Sequence, residues 1–239
     1  MLNNKFKTGY YGIDKNIVFS QDDLICLAAR PAMGCTTFAL NIMQNNKELK
    51  GCFISLVDSK YQLQQKLNVI NAKHSLDKEI QTNRIIDIPI KILELPTTIE
   101  LAEYLASIAE KYDYFVIDNL SYIDQDTNAI FSKNKNYQTI VRHLKAACFL
   151  MQKNIILLSS ISREIEENSK FSFSYFGIRE KYFDHIITIS RPEYYAIDED
   201  EFGKQYKEGE TIVCIAKTKT ENVGSVTSLT FDRESLVFN

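Results

Sequence analysis

The feature that most constrains this chain is a series of strand-length apolar runs, at residues 24–29, 52–57, 90–95, 114–117, 155–158, 185–189, 211–216 and 226–231. Several, such as "LICLAA" and "IILL", are apolar at every position rather than at alternate ones. A strand without alternation is buried on both faces and needs helices on each side of its sheet. Helical patterns lie between the earlier runs. Ile140, Val141, Leu144, Ala147, Cys148 and Met151 recur at three- and four-residue spacing, which places them on one helix face. "PTTIELAEYLASIAEKY" opens on Pro96 and a Thr97-x-x-Glu100 capping box, then carries apolar Ile99, Leu101, Ala102, Leu105, Ile108 and Ala109. Strand–helix alternation up to about Ser160, followed mainly by strands, predicts an α/β fold: a largely parallel sheet flanked by helices, with antiparallel C-terminal strands. Crossovers in such a sheet are right-handed, and ligands bind beyond the carboxyl ends of the strands.

The 239 residues hold no repeat, low-complexity tract or linker, so a single domain over 1–239 is expected. No apolar run approaches the ~18 residues needed to span a bilayer, and "MLNNKFKTGYYG" has no signal-peptide apolar region. A cytoplasmic protein with no membrane partner is expected. A net charge of −3 argues against a broad nucleic-acid-binding surface. Cys26, Cys35, Cys52, Cys148 and Cys214 form no C-x-x-C pair, and four of them lie in apolar segments, as buried free thiols do.

Where the first run meets a helical pattern, the sequence reads "LAARPAMGCTTFAL". A phosphate-binding loop needs a strand, a turn with free backbone N–H groups and a helix whose positive end faces the anion. It also uses a lysine on the β- and γ-phosphates and a Ser/Thr hydroxyl on magnesium. Ala29, Arg30, Pro31, Ala32, Met33, Gly34, Cys35, Thr36 and Thr37 supply the strand end, turn, helix start and hydroxyl. The first glycine of G-x-x-x-x-G-K-[ST] is Ala29 here, and the lysine is Cys35.

The longer segment "TGYYGIDKNIVFSQDDLICLAARPAMGCTTFALNIMQN" resembles the opening of the motor domain of the bacterial replicative helicase DnaB, with its T-G-x-x-x-[IL]-D and A-R-P-x-M-G-K-T segments. The resemblance runs in order through "CFISLVDSKYQLQQKL", "YDYFVIDNLSYI", "YQTIVRHLKAACFLMQKNIILLSSISREIE", "GIREKYFDHIITISRPEYY" and "ETIVCIAKTKTENVGSVTSLTF". It implies a RecA-like P-loop NTPase fold. It also implies ATP and magnesium at the loop, with Thr36 and Asp118 as the metal-directed oxygens. An Asp ending a buried strand is also often a simple cap for the following turn.

The departures from that pattern fall on its charged parts, and phosphoryl transfer rests mostly on positioning and charge stabilisation. Cys35 supplies no point charge, although a thiol at a helix start can also have a lowered pKa and be reactive. Val57 stands where the family has the glutamate that polarises the attacking water. Asp58 beside it is expected on the other side of the strand. Ser160 replaces the glutamine that senses the γ-phosphate. Lys217 is kept, but Lys219 replaces the arginine that reaches a neighbouring subunit's nucleotide, keeping the charge and losing the bidentate fork. Glu221 follows it in place of a glycine. The expectation is a retained fold with abandoned hydrolysis, weak ATP/magnesium binding at most, and no catalytic residues. The alternative is a weak or partner-dependent ATPase, with Asp58 and Lys219 as substitutes.

Arg163 and Glu166 read as a structural turn, and Asp184 beside His185 as a satisfied structural pair. Lys133, Lys135 and Lys170 are the candidates for single-stranded DNA contact, the last within "EENSKFSFSYF". Its alternating aromatics suit base stacking or packing on the core. The chain begins almost at the motor-like region, so the family's amino-terminal domain and linker helix are expected to be absent. A stable homohexamer is not expected, and a replication protein or helicase-like partner is.

Overall fold

The computed structural model describes residues 5–73, 97–123, 137–161, 180–199, 203 and 205–239. In chain order the helices and strands are α1 (Tyr11–Asp14), β1 (Leu24–Ala29), α2 (Cys35–Asn45), β2 (Gly51–Ser55), α3 (Lys60–Lys73), α4 (Thr98–Ile108) and β3 (Tyr114–Asp118). They continue with α5 (Tyr137–Met151), β4 (Asn154–Ser160), β5 (His185–Ser190), β6 (Glu210–Lys217), β7 (Val226–Asp232) and β8 (Val237–Phe238). The expected run at 90–95, the turn residues Arg163 and Glu166, and the lysines at 133, 135 and 170 lie outside the described residues.

The strands form one sheet in the order β2-β3-β4-β1-β5-β6-β7-β8. β2 through β5 pair in parallel, and β5 through β8 pair antiparallel. β1 lies between β4 and β5, in register Ala29↔Ser160 and Ala29↔Ile189. Its six residues are all buried, as an unbroken apolar run demands. Leu24, Cys26 and Ala28 pack with Leu101 and Leu105 of α4 and Ile140 and Leu144 of α5. Ile25, Leu27 and Ala29 pack on the other face with Phe38 and Ile42 of α2 and Leu63 and Leu67 of α3. Each fully buried Leu, Ile or Phe contributes about 1.5–3 kcal/mol relative to exposure.

Local signals operate as read. Thr97 Oγ1 accepts from Glu100 N–H at 3.2 Å while a Glu100 carboxylate oxygen accepts from Thr97 N–H at 2.8 Å, which is the capping box. The T-G-x-x-x-I-D segment is a knot closed by Asp14. Its carboxylate accepts from Thr8 N–H (2.8 Å), Thr8 Oγ1 (2.7 Å) and Gly9 N–H (2.9 Å). Gly9 is required there: its φ is +83°, and a Cβ would collide with the Asn45 side chain. The knot lays Tyr10 flat on Phe38 of α2, with ring centroids 5.1 Å apart.

Among the differences from expectation, two stand out. β2 stops at Ser55 rather than 57, and its last ladder bond to β3 runs from Leu56 N–H to the carbonyl of Asp118 at 2.6 Å. β8 was not anticipated, since two residues carry no period. Phe238 seals the sheet edge against Phe38, with ring centroids 5.0 Å apart.

Candidate nucleotide site

The loop between β1 and α2 opens a cavity of about 260 Å³ beyond the carboxyl ends of β1, β3 and β4. The loop supplies Ala29 to Thr37 apart from Met33. The other walls are Lys66 of α3, Asp118 and Asn119 after β3, and Leu158 to Ser160 of β4. Ala32 (φ 68°) and Gly34 (φ 88°) both take left-handed backbone, which turns the chain into α2 directly after β1. Gly34 is the N-cap and offers no side-chain cap. The helix's first N–H groups lack intrahelical partners, so the positive end of α2 borders the cavity.

Met33 differs from the other residues expected to hold a nucleotide. Its side chain is fully buried, and its Sδ accepts from Arg191 N–H at 3.2 Å. It anchors the loop beneath the exit of β5 and does not line the cavity.

Thr36 Oγ1 donates to an Asp118 carboxylate oxygen at 2.6 Å, bringing together the two residues expected to meet magnesium. Burial pushes the Asp118 carboxyl above its ordinary value, the Thr36 hydroxyl opposes this, and the Asp58 charge adds to it. A buried hydroxyl–carboxylate pair at a cavity floor fits magnesium, which takes one or two protein oxygens and keeps several waters. Thr36 and Asp118 are the residues that would hold it.

The surroundings of the Cys35 thiol do not favour the reactive thiolate that a helix start can produce. Its Sγ donates to the carbonyl of Leu27 at 3.4 Å. Burial, then the Asp118 carboxylate and Cys26, push its pKa well above 9.0. The group is a neutral thiol turned back on β1. The five cysteines are free thiols, with Cys26, Cys52 and Cys148 buried and Cys35 and Cys214 partly so.

Val57 lies past the end of β2 and is 50% exposed. Asp58 was expected on the far side of the strand. Because the strand has already ended, alternation does not apply, and Asp58 accepts from Lys66 Nζ at 2.5 Å at the rim of the cavity. Lys66 itself was missed by sequence reasoning. α3 has a weak apolar period, and nothing in "YQLQQKL" marks one lysine above another. Ser160 lines the cavity, where its hydroxyl accepts from Asn119 Nδ2 at 3.3 Å.

Lys217 and Lys219 sit at the opposite end of the sheet. Lys217 Nζ donates to the Phe183 carbonyl at 2.5 Å. Lys219 Nζ donates to Asp23 and lies 3.2 Å from Asp184. Asp184 also accepts from Lys145 Nζ at 2.6 Å and from Leu24 N–H at 2.8 Å. The expected Asp184–His185 pair is not formed. His185 meets Asp23 at 2.9 Å through Nε2 and Thr218 at 3.1 Å through Nδ1. Both residues are structural, each with other partners.

This architecture, a β1–loop–α2 corner closed by Asp118 on a sheet with an antiparallel flank, is a RecA-like ATPase fold. Known proteins agree. A family model, the DnaB-like helicase C terminal domain, matches residues 6–239, and the chain belongs to that family. A probable plasmid replicative DNA helicase of Chlamydia psittaci is 26% identical over 217 residues, covering 79% of this chain and 47% of that protein. The chain thus spans about half the length of that curated relative. A solved structure described as an ATPase domain superposes with a TM-score of 0.79 at 20% identity, covering 98% of this chain and 90% of that one. A DnaB-like replicative helicase, described with its interactions with primase, gives 0.77 at 20% identity, covering 98% of this chain and 61% of the other. A KaiC-like protein of Pyrococcus horikoshii gives 0.65 at 18% identity, covering 98% and 97%. Among the described residues, no helix is long and apolar enough to cross a membrane.

Proposed function

We propose that this domain works in DNA replication as a binding module that takes up ATP and magnesium weakly and does not hydrolyse it. The observation that carries this reading is the state of Cys35: where the family presents a cation to the terminal phosphates, this chain has a neutral thiol bonded to Leu27. Removing one such contact to a transferring phosphoryl group costs about 10²–10³ in rate. The loss of the water-activating carboxylate at Val57 acts on the same step, so the two effects need not add. Lys217 and Lys219 already have partners within the chain, which supports a reading in which neither acts in trans. The partner of the module is a replication protein, with single-stranded DNA, through Lys133, Lys135 and Lys170, as the second partner to test.

A second reading keeps a slow or partner-dependent motor, and Asp58 is what favours it. Its carboxylate pairs with Lys66, which lines the cavity, so it stands next to the site. Restoring the family's groups separates the two. With Cys35→Lys and Val57→Glu together, the binding-module reading expects larger thermal stabilisation by Mg-ATP but little turnover, because Ser160 and Lys219 are unchanged. Vigorous single-strand-stimulated turnover by the unmodified protein establishes the motor instead.

A further inference from the structure

The cavity that lost its loop lysine has another lysine in its wall. Lys66 stands on α3, a different element from the loop, and lines the same space as Gly34, Thr36 and Asp118. Its Nζ is paired with Asp58 at 2.5 Å, and the two side chains are 34% and 24% exposed. The pair is therefore accessible and not locked in the core. A lysine ammonium is a mobile point charge that can change partners, unlike a guanidinium committed to a planar fork. A partly exposed ion pair contributes little to stability, so exchanging one carboxylate for a triphosphate bearing several negative charges is favourable.

We infer that Lys66 is the phosphate-binding lysine of this protein, delivered from α3 in place of the cation missing at Cys35, and that Asp58 holds it until a nucleoside triphosphate enters. This inference rests on the proposed nucleotide binding and adds which group holds the terminal phosphate. Asp58 thereby acts as a competitor for Lys66. Its removal leaves the lysine free for the ligand.

That arrangement has a signature that a merely structural ion pair lacks. If the pair only braced the start of α3, Lys66→Ala and Asp58→Asn would change affinity in the same direction. If Lys66 is the phosphate ligand, the two variants move it in opposite directions. The experiment is calorimetric titration of Mg-ATP and Mg-ADP into the unmodified protein, Lys66→Ala, Lys66→Arg, Asp58→Asn and the Lys66→Ala/Asp58→Asn double variant. Melting curves without nucleotide check that each is folded. Lys66→Ala is expected to weaken Mg-ATP binding roughly tenfold or more, the scale of one charge-assisted hydrogen bond. Mg-ADP should lose less, and Lys66→Arg should keep most of the affinity. Asp58→Asn is expected to tighten Mg-ATP several-fold, and the double variant to lose most of that gain, which isolates the coupling between the two side chains. Cys35→Lys should rescue Lys66→Ala.

Equal Mg-ATP affinity for Lys66→Ala and the unmodified protein overturns the inference while leaving nucleotide binding intact. So does tightening by Asp58→Asn that persists undiminished without Lys66. Absence of nucleotide binding by the unmodified protein overturns the inference together with the reading on which it rests.

Discussion

Single residues decide what this cavity can do, and Cys35 is the first. A thiol whose pKa is raised by burial and by the Asp118 charge is almost wholly protonated at neutral pH, and only the thiolate is nucleophilic. Cys35 is therefore expected to react with iodoacetamide at about pH 8 at least roughly tenfold more slowly than free cysteine, read by mass spectrometry of the modified peptide. Rapid, selective alkylation at Cys35 would show a thiolate facing the ligand. Asp118 makes a second prediction. Its folded-state pKa lies above 3.8, so the native state binds more protons than the unfolded chain in that window. Its ionisation thus costs stability, a cost that appears as pH rises through the folded pKa. Asp118→Asn is accordingly expected to keep or raise the melting temperature at neutral pH while abolishing stabilisation by Mg-ATP. A drop in melting temperature of several degrees would mean that the carboxylate is a structural cap after all. At this scale the sequence was informative about identity and poor about direction. The Thr36–Asp118 pair could be matched to a motif, but the end of β2 at Ser55, beyond which Val57 is exposed and Asp58 pairs with Lys66, is set by where pairing with β3 stops, a long-range property that no local pattern encodes.

Elements were more legible than their joints. β1, β3 and β4 could be read because burial on both faces leaves unbroken apolar runs, and α4 because its capping box is local. The four-residue α1 and the two-residue β8 could not, because neither is long enough to display its pattern. One joint in the antiparallel flank illustrates what the fold adds. Glu193, in the turn at Pro192–Tyr195 after β5, accepts from Gly209 N–H before β6 (2.7 Å), from Arg191 (2.5 Å) and from Arg233 after β7 (2.9 Å). Arg191 in turn lies over the Phe231 ring at 4.4 Å. Burial raises the Glu193 carboxyl, but these donors outweigh it and hold the pKa at about 2, below the usual 4.5. A depressed acid contributes stability that is full above about 4.5 and is lost as pH falls toward 2. Glu193→Gln is expected to flatten the fall in stability between pH 4.5 and 2, measured by urea unfolding. An unchanged acid slope would show that the clamp does not hold the strands together. Similarly, Thr97→Ala removes the N-cap of α4 and is expected to cost about 1 kcal/mol, read from the same urea curves.

At the scale of the molecule, the two ends of the sheet have diverged in use. The carboxyl end keeps a cavity, a positive helix terminus, a hydroxyl–carboxylate pair and a lysine from an unexpected helix. At the opposite end Lys219 pairs with Asp23 and Asp184 within the chain. Burial alone would raise the Asp23 carboxyl, and His185, Lys219 and Ser20 N–H together hold it below 3.8 instead. Under the reading proposed above, Lys219 stays in these ion pairs and does not bridge a nucleotide between subunits. Mg-ATP is expected to leave the mass in light scattering unchanged, and nucleotide-driven six-fold assembly would contradict this. The central claim, a nucleotide-binding domain without hydrolysis, is tested most directly by steady-state phosphate release from Mg-ATP with and without single-stranded DNA. The account predicts release no greater than that of Thr36→Ala under both conditions. DNA-stimulated release by the unmodified protein that Thr36→Ala abolishes would contradict it.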